Sequence, residues 1–194
     1  GSNTASVFIN NGNGTFASKI DYTTGGGPRS IVTSDINGDG NQDIITGNNS
    51  SSTTSILLGN SPSYYVAVAN NGVGDRVMTS PNGINWTTRT SAADNSWQSV
   101  TYGNGMFVAV ANSGTGNRVM TSPTGITWTS QTSALDYAWS SVTYGNGLFV
   151  AVAENSANGN VMTSPDGVNW TSQTSAIQNH WQSVTYGNGL FVAV

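Results

Sequence analysis

The stretch WQSVTYGNGMFVAVA, Trp97 to Ala111, sets two strand-like patterns on either side of a turn. Trp97–Tyr102 alternates polar and apolar residues, the period-2 signature of a strand. Phe107–Ala111 is apolar and rich in β-branched residues, a second strand-like run. The Gly-Asn-Gly between them is a tight hairpin signal, because Gly and Asn tolerate positive φ.

The stretch returns as WSSVTYGNGLFVAVA from Trp139 and WQSVTYGNGLFVAV from Trp181, so the period is 42 residues. A second series keeps the same spacing: SPNGINW from Ser80, SPTGITW from Ser122 and SPDGVNW from Ser164. A partial copy, YVAVA at Tyr65, stands 42 residues before FVAVA at Phe107. Within one period Arg118–Ser122 and Thr127–Thr132 add two more strand-like runs, with Gly, Asn and Pro in the gaps as turn chemistry requires. Nothing reads as a helix. Four short antiparallel strands in a period of about 40–45 residues make one blade of a β-propeller. The expected fold class is therefore all-β, a β-propeller of four-stranded antiparallel blades, strands A to D from the inside outward. Roughly 18 strands give about 4.5 to 5 blades at four per blade. Trp97, Trp139 and Trp181 open strand A, and Trp86, Trp128 and Trp170 open strand D. Large rings repeated in every blade are expected to pack blade against blade, with a sugar-stacking platform as the alternative.

SPDGVNW resembles the Asp-box of sialidase-like propellers, Ser-x-Asp-x-Gly-x-x-Trp, in a version one residue shorter. The carboxylate stands only at Asp166, with Asn82 and Thr124 in its place elsewhere. In that family the box is a structural turn between strands C and D, so the resemblance implies the fold and not sialidase chemistry.

Residues 1–60 follow another pattern: SVFINNGNGTFASKIDY, then PRSIVTSDINGDGNQDIITGNN, then TTSILLGN. This region resembles the FG-GAP/VCBS repeat, the blade type of integrin α-chain propellers, most specifically in its acidic loop. The resemblance implies strand A at Arg29–Ile36, strand B at Asp43–Asn48 and strand C at Ser55–Asn60, with Ser6–Asn10 and Thr15–Tyr22 as strands C and D of a preceding blade. Ser55–Asn60 also aligns, 42 residues back, with strand A at Trp97–Tyr102, and both assignments stay open. The expected organisation is an FG-GAP-like region over 1–60 and propeller repeats over 61–194, together one propeller domain. Two repeat families side by side, with strands C and D at one end and A and B at the other, suggest a chimeric or fragmentary chain. Trp181–Val194 is expected to pair with Ser6–Tyr22, within one chain or between chains, so that strand exchange or a homo-oligomer completes the ring.

The acidic loop itself offers oxygen ligands at alternating positions: Asp35, Asn37, Asp39, the Asn41 backbone carbonyl and Asp43. Gly38 and Gly40 permit the bends. Hard oxygens of mixed charge suit calcium, whose coordination tolerates irregular geometry, better than magnesium or zinc. An EF-hand would close with a Glu at the twelfth position, where this chain has Thr46. The FG-GAP resemblance implies closure by Asp43 instead. Three carboxylates in nine residues repel one another without a cation, and the alternative is a solvated Asp/Asn/Gly turn. The expected cofactor is calcium, in a stabilising role.

Composition narrows the function. Charged residues make up 7% of the 194, the net charge is −4, and five basic residues are scattered, which excludes a nucleic-acid interface built on clustered cations. No apolar run approaches the ~20 residues of a membrane span. There is no cysteine. The leading Gly-Ser reads as an expression scar, and a signal peptide already removed is compatible with it. The lone His180 and the lone Glu154 supply no catalytic pair, and two positioned carboxylates of the glycosidase type are not readable from the spacing. Arg76 and Arg118 are repeat equivalents and read as scaffold. No enzyme is expected.

Comparison of the copies points to binding. VTYGNG and VMTSP hardly change, whereas the B–C loops (NNGVGD, NSGTGN, ENSANG) and the D–A connections (ADNS, LDYA, IQNH) do. In an antiparallel blade these loops emerge at one end, and loops on a rigid scaffold are the usual carriers of recognition, although neutral drift gives the same pattern. The candidate ligand face is Asp94, Asn95, Asp136, Tyr137, Asn179 and His180. The expected function is a non-enzymatic, calcium-stabilised binding or adhesion module for a glycan or protein, secreted or at a bacterial cell surface. A structural or engineered scaffold with no ligand is the first alternative, and a degenerate glycosidase-like domain the last.

Overall fold

The computed structural model describes residues 2–10, 14–34, 36, 42–59, 64–154 and 160–194. Every regular element among them is a β-strand, eighteen in all. The chain divides into two compact units, Gly1–Ser61 and Pro62–Val194.

In the first unit β1 (Thr4–Val7) and β2 (Ile20–Thr23) form a two-stranded ribbon, and β3 (Pro28–Ser34), β4 (Asp43–Asn48) and β5 (Thr53–Leu57) a three-stranded sheet in that order. β5 pairs with β4 from Ile44↔Leu57 to Asn48↔Thr53. The ambiguous segment is therefore strand C of this sheet, and not strand A of the first 42-residue repeat. Apolar burial here is thin. Ala5 is the one buried apolar side chain among the described residues of the unit, while Ile31, Val32, Ile56 and Leu58 are exposed. A buried amide does part of the work instead. Asn48 accepts a hydrogen bond from Thr46 Oγ1 (3.1 Å) and donates to Ser55 Oγ (2.9 Å) and Thr53 Oγ1 (3.2 Å).

The second unit holds the repeats. Its sheets are β6 (Tyr65–Val68), β7 (Val77–Ser80) and β8 (Thr87–Arg89); β9 (Trp97–Gly103), β10 (Met106–Ala111), β11 (Val119–Ser122) and β12 (Thr129–Gln131); β13 (Ala138–Gly145), β14 (Leu148–Glu154), β15 (Val161–Ser164) and β16 (Thr171–Gln173); and the ribbon β17 (Val184–Gly187) with β18 (Leu190–Ala193). The two four-stranded sheets are blades with the strand order read from the sequence, and β9, β13 and β17 pack side by side. The first repeat supplies strands B, C and D only. The ribbons β1–β2 and β17–β18 are each two-stranded sheets among the described residues. The ladder of the second ribbon is extended by Gln182 N–H to Val194 O at 2.7 Å.

The hairpin read from Gly-Asn-Gly is present. Asn104 and Gly105 have φ of 47° and 74°, positive at both central positions as a type I′ turn demands, and the pair recurs at Asn146–Gly147 and Asn188–Gly189. It hands the chain to β10, a central strand buried on both faces. Phe107, Ala109 and Ala111 join Val77, Trp97 and Met120 in one core, while Val108 and Val110 join Trp139, Phe149 and Met162 in the next. β14 repeats the division, with Phe149, Ala151 and Ala153 on one side and Val150 and Val152 packed with Val184 on the other. Trp97 and Trp139 are fully buried, and their indole N–H groups each donate to a backbone oxygen at 3.0 Å, Ala93 O and Leu135 O. These rings are blade packing. A close approach seals each seam: a Cβ placed on Gly103 would lie 2.0 Å from Cγ of Tyr144, and one on Gly145 2.0 Å from Cγ of Tyr186.

The Ser-Pro-x-Gly stretch folds as a self-bonded turn between strands C and D. Ser122 Oγ accepts from Gly125 N–H and Ser164 Oγ from Gly167 N–H, both at 2.8 Å. The Trp128 and Trp170 indoles donate back to Gly125 O and Gly167 O, both at 2.9 Å. The variable third residue needs only an oxygen acceptor: Asn82 Oδ1 takes the N–H of Ile84, Thr124 Oγ1 that of Ile126, and Asp166 Oδ1 those of Val168 and Asn169. Burial works to raise the Asp166 pKa, but hydrogen bonds from the Asn169 N–H and side-chain amide, the Val168 N–H and the Ser164 hydroxyl outweigh it and bring it down to about 2.

Two predictions follow from this packing and turn chemistry. Gly145→Ala is expected to lower stability by about 1–3 kcal/mol in denaturant unfolding, since Tyr186 has to move. Gly187→Ala, at the same repeat position with nothing within 4 Å, is expected to be near neutral. Equal effects of the two would rule out the seam contact. For Asp166 the folded pKa lies below the ordinary ~3.9, so its contribution is complete above about pH 4 and fades as pH falls toward 2. Asp166→Asn, which copies Asn82, is therefore expected to lose less melting temperature than the parent chain between pH 6 and pH 2.5. An unchanged loss would remove the carboxylate from the account.

Candidate functional site

The acidic loop joins β3 to β4. Of its expected ligands, Asp35, Asn37, Asp39 and Asn41 lie outside the described residues, and Asp43 lies within them. Asp43 opens β4, opposite Ser34 at the end of β3. It is fully buried. Its Oδ2 accepts the N–H of Ile36 at 3.0 Å and its Oδ1 the N–H of Gly59 at 2.7 Å. The carboxylate thus pins the loop entrance to the residue just beyond β5. Among the described residues each oxygen has this one partner, which leaves a further acceptor position on each. Among the described residues no basic side chain forms an ion pair with it, although a buried carboxylate is costly without a compensating charge. An anionic, oxygen-only anchor with spare lone pairs fits a hard cation such as calcium. No group of three or more His or acidic side chains able to hold a metal occurs among the described residues.

The B–C and D–A loops of the second unit are tied to one another. Asp94 accepts the N–H of Gly74 at 2.6 Å, and Asp136 that of Gly116 at 2.8 Å, each joining a D–A connection to the B–C loop of the same repeat. Arg76 and Arg118 stand beside these carboxylates at 3.8 and 3.7 Å. Each guanidinium also donates from Nε to its own loop, to Gly72 O at 2.9 Å and Gly114 O at 2.8 Å. Asn95 is buried, and its amide donates to Asn117 O at 2.8 Å. Tyr137 packs against Trp139, ring centroids 6.1 Å apart. The backbone oxygen of Asn179 accepts from Asn160 Nδ2 at 2.7 Å, while its side chain and His180 are exposed.

The six face residues therefore divide. Asp94, Asn95, Asp136 and Tyr137 hold the loops in shape, the two aspartates while still exposed, and Asn179 and His180 present themselves to solvent. Sequence reasoning missed the partners of the two aspartates, although a signal was there. Arg76 and Arg118 become Asn160 in the third copy, where Asp94 and Asp136 become Gln178, so both members of the pair change together. Missed as well were Ile36 and Gly59, whose roles rest on backbone N–H groups that no side-chain pattern displays.

Comparison with known families agrees with the reading of the first unit. Residues 1–46 match the model for the FG-GAP-like repeat and residues 27–69 that for the FG-GAP repeat. No curated protein matches the chain. FG-GAP repeats are typical of extracellular or cell-surface proteins, and many bind calcium. No helix among the described residues is long and apolar enough to cross a membrane. The N-terminal region of this all-β chain is an FG-GAP repeat region, which marks it as a β-propeller-type module of the kind often used in adhesion and binding.

Proposed function

We propose that the chain is a non-enzymatic binding or adhesion module that calcium stabilises through the loop Asp35–Asp43, and that it recognises a glycan or a protein outside the cell. Asp43 is the observation that carries the calcium reading: a fully buried carboxylate, bonded only to two backbone N–H groups among the described residues, at the closing position of an oxygen-rich loop. The thin apolar core around it gives the ion a physical role, since small units with little apolar burial need staples. A cation bridging Asp43 to Asp35, Asn37, Asp39 and the Asn41 carbonyl would tie β3 to β4. Recognition is assigned to the B–C and D–A loops, with Asn179 and His180 exposed in the third D–A connection. The loops of the first two repeats, pre-set by Asp94 and Asp136, lose little entropy on binding.

Extracellular calcium modules bind at about 10⁻⁴–10⁻³ M. At ~5 mM calcium, mass action then contributes about 1–2 kcal/mol of stability. This is expected to raise the melting temperature by several degrees, and EGTA to reverse the rise. Asp39→Asn is expected to remove the shift while leaving the metal-free melt close to that of the parent. A calcium-insensitive melt of the parent chain would end the calcium reading. On a glycan array, binding lost on His180→Ala and Asn179→Ala supports recognition at the loops, and silence favours a ligand-free scaffold.

A further inference from the structure

We propose that the groove beside β8, between the first two repeats of the second unit, is a binding site for a carboxylate-bearing saccharide, with Arg89 as its anion anchor. The groove measures about 440 Å³ and is lined by Thr88, Arg89, Thr90 and Ser91 on one side and by Ile126 and Trp128 among those on the other. This lies within the ~300–1,000 Å³ of ligand clefts and accommodates a sugar ring.

Internal comparison isolates Arg89. The second and third repeats carry Gln131 and Gln173 at this position. Each donates from Nε2 to a threonine hydroxyl on strand C, Thr121 and Thr163, at 3.0 Å. Arg89 makes the same bond from Nε to Thr79 Oγ1, also at 3.0 Å. Glutamine thus satisfies the scaffold, and the arginine adds a charge and terminal donors for which the described residues show no hydrogen-bond partner. The guanidinium carbon stands 5.9 Å from the centroid of the Tyr64 ring, so a second contact holds the group in place. Lys19, Arg76 and Arg118 each face a carboxylate, whereas half-buried Arg89 faces none among the described residues.

The remaining lining selects the ligand class. One guanidinium matches a single carboxylate in bidentate geometry, and no second cation lines the groove to balance a phosphate dianion. Threonine and serine hydroxyls both donate and accept, which suits the hydroxyls of a sugar ring. The buried hydroxyl of Ser91 has no partner among the described residues. Ser133 shares that condition one repeat later, so Ser91 belongs to the general blade plan and Arg89 to this groove alone. Ile126 and Trp128 form the apolar wall. This inference deepens the binding reading by naming a ligand class, and because its residues lie between Thr88 and Trp128 it stands or falls separately from calcium and from His180.

The test is an amide-resolved NMR titration of the full chain with D-glucuronate, D-galacturonate and N-acetylneuraminate, each beside its neutral methyl ester. At least one acid is expected to shift the amides of Arg89, Ser91 and Ile126 with a millimolar Kd. Its methyl ester, and the acid on Arg89→Gln, are expected to bind at least about ten-fold more weakly. The glutamine variant retains the Thr79 bond by the precedent of Gln131, and the ester comparison needs no variant. The proposal is overturned if none of the three acids shifts these amides, if the shifts fall elsewhere, or if ester and acid bind alike.

Discussion

The second unit depends on one constraint: its central strands β10 and β14 have no free face. Each residue from Phe107 to Ala111 is buried, alternate ones in different cores. Burying a Val or Phe side chain contributes about 1.5–3 kcal/mol, and half of that burial needs the neighbouring repeat. A lone blade would leave Val108 and Val110 in water, so the blades are stable only as a stack. The constraint reaches outward from the strand. It demands rings such as Trp139 and Phe149 across the seam, the bare Gly103 and Gly145 under Tyr144 and Tyr186, and a hairpin that returns the chain in fixed register. That is why VTYGNG and FVAVA stay the same from copy to copy.

The first unit is organised on other terms. Its sheet is sound as a ladder, with β4 paired on both edges, yet Ile31, Val32, Ile56 and Leu58 remain exposed. What is buried is polar: Asp43, Thr46 and Asn48. Buried polar groups stabilise when they are fully satisfied and penalise heavily when they are not. Asn48 is satisfied by hydroxyls at fixed positions on β4 and β5. Asp43 has two N–H donors and no basic partner among the described residues, and it joins the sparse apolar core to the acidic loop. An ion there would supply rigidity that side-chain packing does not.

Much of the repeat unit was legible because it is written three times. A 42-residue period, an alternating strand, an apolar strand and an Asn-Gly turn leave few architectures open. The strand order, the hairpins and the packing role of Trp97 and Trp139 follow from local chemistry that the sequence displays, whereas Trp86, expected to pack with them, is exposed. Strand assignment blurred at Ser55–Asn60, where two repeat types overlap and both patterns fit the same residues. Only the register against β4 distinguishes them, and register is a property of the partner strand. Of the site, residue types were readable and their partners were not. Asp43 showed itself as a carboxylate in a ligand series, but its grip on Ile36 and Gly59 depends on backbone N–H groups that every residue except proline carries.

Variation among internal copies carries more information once partners are known. Arg76 and Arg118 give way to Asn160 in the repeat where Asp94 and Asp136 give way to Gln178. A change matched across a contact preserves the scaffold, so it needs no ligand to explain it. Arg89 differs in kind. Glutamine at the equivalent positions makes the same threonine bond, and no carboxylate appears opposite the arginine among the described residues. A half-buried cation adopted where the scaffold does not require it, and left without a counter-charge, is an unmatched change. Loop variability alone pointed to the D–A connections. Sorting the differences into matched and unmatched moves the weight from Asp94 and Asp136, which serve the fold, to Arg89, which has no carboxylate partner among the described residues.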